Sequence, residues 1–234
     1  PGSYPPSKGK GQTLANAVDY RPLLRGLLVA LDQWCREGMV PPASRHPTIR
    51  EKTLVDWTQS ATQFPAIPGV RFPGVINEPT LLDFGDRWDS ERVIELQPPR
   101  QLGSYKVLVA KCGSDGNELG CLLVPGVAVP VSTNTGWNLR TNEAGAENDL
   151  VGLSGSFIPF PTTAEQRDES GDPRESLGER YGNLGTYMQR LAEACDQLVD
   201  QRYILQEDVE RIANQQRRIA EATFASESSE AASK

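Results

Sequence analysis

Residue types able to do nucleophilic chemistry are scarce in this chain. A nucleophile needs a base to take its proton and a third group to orient that base, and the 234 residues contain a single histidine. His46 lies in "PASRHPTI", between prolines, without the strand end or helix start that commonly presents a base. It reads as a surface or packing residue. Gly152-Leu153-Ser154-Gly155-Ser156 comes close to a G-x-S-x-G elbow, but Ser156 replaces the last glycine. An elbow turns from a buried strand straight into a helix, exposing its serine beside an oxyanion-binding amide. Here "FIPFP" follows, and two prolines exclude that helix. Ser154 is set aside as a nucleophile.

Other clusters point to less. Asp83, Asp86 and Asp89 in "LLDFGDRWDS" have calcium-like alternation. The remaining ligands of a calcium loop are missing, so a solvated turn is expected. The opening "PGSYPPSKGKG" lacks the spacing of a phosphate-binding loop. Cys35, Cys112, Cys121 and Cys195 have no zinc-like spacing, and Cys35 and Cys195 fall at apolar positions of helical patterns. No metal or cofactor is called for. The most conspicuous polar-aromatic loop is "TGWNLR", residues 135–140.

The elements that would position these residues follow from periodicity. Asp19 precedes "YRPLLRGLLVALDQWCREG", with Pro22 in the first turn and Gly38 at the end, which predicts a helix over 19–37. Tyr20, Leu23, Leu24, Leu27, Leu28, Leu31, Trp34 and Cys35 form a wide apolar stripe that requires a substantial partner surface. Residues 39–104 carry proline every few positions and read as extended connections. Asp115-Gly116-Asn117, between "YKVLVAK" and "LLVPGVAV", predicts a β-hairpin over 105–133. In it Cys112 and Cys121 could face each other as a disulfide, which would favour an extracytoplasmic location, or remain reduced. Residues 134–163 read as loop.

From residue 172 the character becomes helical. Leu184, Tyr187, Met188, Leu191, Cys195, Leu198 and Val199 share one face, and "QEDVERIANQQRRIAEA" continues an αα-hairpin. The end, "SESSEAASK", is small and polar and expected to be disordered. The fold class is thus α+β, divided into a loop and helix (1–38), a Pro/Gly-rich extension with a β-hairpin (39–171), C-terminal helices (172–223) and a tail (224–234). A net charge of -7 argues against nucleic acid as partner, and no apolar run has membrane-spanning length.

Taken together, "DYRPLLRGLLVALDQWCREGMVPPASRHP", "FPAIPGV", "VAVPVSTNTGWNLR" and "LSGSFIPFPTTAEQRDESGDPRESLGERYG" resemble the C-terminal region of the bacterial alpha/beta hydrolase domain-containing proteins. The likeness runs from the start of the chain to about residue 213. It implies that the sheet, the nucleophilic serine and the catalytic histidine lie upstream, and that the chain, which begins at Pro1 rather than Met, is a C-terminal piece. The implied activity is hydrolysis of a small ester-like substrate through an acyl-serine. The 19–37 helix would pack on the upstream core, and His46 matches no triad position. Trp137, Asn138 and Arg140, with Phe157 and Phe160, would line the substrate pocket. The alternative for Trp137 is packing under the hairpin, with Arg140 on a nearby carboxylate. A competing reading of the whole chain is a non-catalytic ligand- or protein-binding module.

Overall fold

The computed structural model describes residues 6–225, so the expected disordered tail lies outside the described residues from 226 onward. In chain order the elements are β1 (Leu14–Ala15), α1 (Arg21–Glu37), β2 (Leu54–Asp56), α2 (Gln59–Thr62), β3 (Thr80–Asp83), α3 (Trp88–Glu91), β4 (Arg100–Ser104) and β5 (Leu108–Ala110). They continue with α4 (Pro125–Ala128), β6 (Ser132–Asn134), β7 (Ser156–Pro159), α5 (Ala164–Ser170), α6 (Leu177–Tyr181), α7 (Leu184–Asp200) and α8 (Val209–Phe224), the last entered through a 3-10 turn at Gln206–Asp208. Every strand pairing among the described residues is antiparallel: β1-β7-β6, β2-β5 and β3-β4. The fold is mixed α and β, with small sheets.

The α7–α8 hairpin forms as its periodicity predicts. Tyr187, Leu191, Cys195 and Leu198 are buried along α7 and meet Ile212, Ile219 and Ala220 of α8. Asn183 caps α7 by accepting from the Thr186 amide, and a Ser176–Glu179 capping box starts α6. The three-stranded sheet lies on this layer. Because side chains alternate along a strand, Phe157 of β7 joins the helical core while Ile158 turns to a second cluster with Phe64, Ile67 and Cys112. Strand β7 is thus a partition between helical core and the side of the molecule that carries the cleft described below.

The SGDPR run locks that partition. Arg174 is 2% exposed and grips Asp172 with two hydrogen bonds, 3.0 Å from Nε and 2.6 Å from Nη2. Its remaining donors reach Thr133 Oγ1, the Ile158 carbonyl and the Pro159 carbonyl at 2.9–3.0 Å. The guanidinium also lies 5.1 Å from the centre of the Phe160 ring. A buried ion pair survives desolvation only when its hydrogen-bonding groups are satisfied, and here they are.

Three expectations need correction. The 105–133 hairpin closes at its turn, where Cys112 bridges Glu118 and the Leu119 amide donates to the Lys111 carbonyl at 2.8 Å. It does not extend. Gly120 takes a φ of +78°, and a Cβ there would sit 2.9 Å from Thr53 Oγ1, so the chain swings away. The second arm becomes α4, started by Pro125, and β5 pairs with β2 instead. With the register set by Cys112 opposite Glu118, Cys112 and Cys121 are free thiols and no disulfide joins them. Residues 1–18 and 134–163, read as loop, contain β1, the end of β6 and β7.

Helix α1 spans the predicted residues but turns the other way. Asp19 Oδ1 accepts from the Arg21 amide at 3.0 Å, and Gly38 closes the helix in the left-handed conformation. The buried positions, however, are Pro22, Gly26 and Ala30. Gly26 allows this approach, since a Cβ there would stand 2.2 Å from the Tyr203 carbonyl oxygen. Arg25 and Arg211 bind Asp208, while Arg21 and Arg211 bind Asp19, fastening the same side of α1 to α8. The large apolar side chains are left outside: Leu24 is 56% exposed, Leu28 66%, Leu31 48% and Trp34 52%.

Candidate functional site

On the far side of β7 lies an open apolar cleft of about 270 Å³. Its floor is built by β5, by the turn after α2, by the proline-rich run through 72–77 and by the 134–137 loop. Three rings form its most ordered wall. Phe64, Phe72 and Trp137 stand with centroids 5.4–5.6 Å apart and planes inclined by 50–73°, the tilted and edge-on arrangements that aromatic quadrupoles favour. Trp57, Val75, Ile76, Val109 and Leu150 extend the apolar lining.

The TGWNLR loop is bolted down so that Trp137 can project into this space. Ser156 Oγ donates to the Trp137 carbonyl at 2.7 Å, and the Thr135 hydroxyl donates to the same oxygen. Asn138 is 1% exposed and takes the place of a strand residue: Nδ2 donates to the Thr13 carbonyl at 3.0 Å and Oδ1 accepts from the Thr13 amide at 3.3 Å. Arg140 folds over the next turn, donating to the carbonyls of Ala144 at 2.6 Å and Gly145 at 2.7 Å.

Of the five residues expected to line a pocket, Trp137 alone faces this cleft. Asn138 and Arg140 spend their donors on backbone carbonyls. Phe157 belongs to the helical core and borders only a hollow of about 30 Å³, room for about one water. Phe160 is core too, sandwiched under the Arg174 and Arg180 guanidiniums. Phe64 and Phe72 escaped sequence reasoning, although each precedes a proline in "FPAIPGVRFPGV". Such an aromatic-proline alternation has the composition of a lined groove as readily as of a connection.

The cleft holds no nucleophile–base pair. Burial, helped by the carboxylates of Glu118 and Asp115, pushes the Cys112 thiol up to about 12, so it stays protonated at neutral pH. The hydroxyls of Thr62 and Thr135 are committed to the carbonyls of Gln59 and Trp137. His46 is exposed on the proline-rich connection and is not part of the lining. Ser154 follows a turn at Gly152 and leads into β7 rather than a helix. Asp83 accepts from the Gly85 amide and pairs with Arg100. Among the described residues no three His, Cys, Asp or Glu side chains converge in a way that could hold a metal ion, and no helix is long and apolar enough to cross a membrane.

Fold and site together define a mixed α/β chain with a small-molecule-sized aromatic cleft and no reactive pair in it. The chain belongs to the alpha/beta hydrolase domain family, whose profile matches residues 2–214. No curated protein and no solved structure matched the chain. The family points to a hydrolase-type function.

Proposed function

We propose that this chain is the C-terminal portion of a serine ester hydrolase whose nucleophile and catalytic histidine lie on an upstream core of the same protein. The observation that carries this reading is the outward leucine face of α1. Full burial of such a side chain contributes about 1.5–3 kcal/mol, and four of them stay roughly half exposed while the helix is already anchored by its opposite side. A contiguous face of that kind marks an interaction surface. In a family of hydrolase-type function, and in a chain whose one histidine is exposed, an upstream catalytic core is the partner that fits it.

In this scheme the upstream serine attacks the ester carbonyl, the histidine moves the proton, and backbone amides hold the oxyanion. The present chain contributes stability through α1 and a pocket wall through Trp137. The test compares this chain with one extended upstream. The extended protein is expected to react with a fluorophosphonate and to turn over short p-nitrophenyl esters, and this chain to do neither. Leu24→Glu with Leu28→Glu should destabilise the extended protein and leave this chain unaffected. Ester turnover by this chain alone, or an unlabelled extended protein, would overturn the reading. The second of those results, with ligand binding intact, is what a non-catalytic binding module would give.

A further inference from the structure

The charge distribution around the aromatic cleft says what kind of group it takes. Its lining contains one ionisable carboxylate, Glu118, and no lysine or arginine. Glu118 is exposed, and Cys121 Sγ donates to its carboxylate at 3.7 Å. A carboxylate entering beside three aromatic rings would lose its hydration and find no cation to replace it, which is a heavy cost. An uncharged ring system meets no such penalty. The volume sets the size: a cavity of about 150 Å³ takes up benzene, so about 270 Å³ accommodates two fused rings. The tilted walls of Phe64, Phe72 and Trp137 offer both faces and edges for them.

We propose that the cleft walled by Phe64, Phe72 and Trp137 is a binding site for an uncharged aromatic group of up to two fused rings, and that Glu118 at its rim turns carboxylates away. Binding stands on the cleft's own geometry. Its assignment as the acyl or alcohol subsite of an ester substrate rests on the hydrolase reading above. Specificity of this kind comes from a repulsive element as much as from attraction, which makes Glu118 the residue to probe.

The experiment is calorimetric titration of this chain with 2-naphthol, neutral at pH 7, and with 2-naphthoate, which has the same rings and a negative charge. Saturable 2-naphthol binding at one site is expected, with 2-naphthoate at least ten-fold weaker. Trp137→Ala should weaken 2-naphthol at least ten-fold. Because that change could disturb the ring cluster, Glu118→Lys provides the second arm: it lies at the surface and should shift the naphthoate-to-naphthol affinity ratio about ten-fold toward naphthoate. Absence of saturable 2-naphthol binding, equal affinity for the two probes, or an unchanged ratio in Glu118→Lys would overturn the proposal. Failure of the hydrolase reading is seen separately, as an extended protein that binds 2-naphthol but is not labelled by a fluorophosphonate.

Discussion

Replacing Arg174 by methionine isolates the energetics of the buried latch. Methionine fills a comparable volume but donates no hydrogen bond. It would leave the Asp172 carboxylate, itself 9% exposed, without its cation, and would remove a donor from the Ile158 and Pro159 carbonyls that Arg174 reaches. Removing one partner of a buried ion pair costs about 3–5 kcal/mol. An unsatisfied buried acceptor costs about 1–3 kcal/mol, and groups sharing one cavity do not add independently. The expected loss is therefore about 3–5 kcal/mol, a large share of the roughly 5–15 kcal/mol that holds a typical domain. At about 2–4 °C per kcal/mol for a chain of this size, the melting temperature should fall on the order of 10 °C. Urea unfolding followed by circular dichroism gives the number. Arg36→Met is the control, since the Arg36–Asp32 pair is 75% and 54% exposed and should count for little. A loss for Arg174→Met below about 1 kcal/mol, or no greater than the control's, would refute the claim that this pair is a structural latch.

Three further outcomes are expected. The Arg21 guanidinium, hydrogen-bonded to Asp19, holds that carboxyl down to about 2 from its ordinary 3.8. A depressed carboxyl stabilises the fold above the unfolded value and loses that contribution as pH falls through the folded one; the stability gap between wild type and Asp19→Asn should therefore narrow from about pH 4 to pH 2, and a gap independent of pH would contradict it. Gly26→Ala should lower stability by about 1–3 kcal/mol, because the clash with the Tyr203 carbonyl outweighs the roughly 1 kcal/mol that alanine gains in a helix; a rise in the thermal midpoint would show that α1 does not sit where described. Thiol titration at pH 8 should modify exposed Cys35 first and leave buried Cys112 and Cys195 until denaturant is added, when four thiols appear; two missing thiols would restore the disulfide.

What could be read from the sequence was local. The α7 stripe was legible because helical side chains meet neighbours three and four residues away. The turn at Asp115-Gly116 was legible because the residue types that make a tight turn stand next to each other in the chain. Its partner was not, since β5 chooses β2 across the whole proline-rich segment and nothing within the turn specifies that choice. Helix α1 illustrates a subtler failure. Periodicity found its length and its stripe, but the face that packs here is the small one at Pro22, Gly26 and Ala30, which hydrophobic patterning ignores. At the site, Trp137 stood out by size alone. Asn138 and Arg140 looked like donors awaiting a ligand, whereas their own backbone claimed them. Phe64 and Phe72 were hidden in prolines, and only the folded chain brings them to Trp137.

Asn138 is not alone in standing in for a peptide group. Asn117, 4% exposed, donates through Nδ2 to the Ser132 carbonyl at 3.1 Å and accepts the Asn134 amide at 2.8 Å, completing the edge of β6. A carboxamide does this because, like the backbone, it carries a donor and an acceptor in one plane. Asparagine is also among the thermally labile residues. Loss of ammonia at either position would set a carboxylate oxygen against a carbonyl oxygen in a water-poor interior. A carboxylate at either position would open the two seams that those amides close, the margin of β6 and the base of the tryptophan loop.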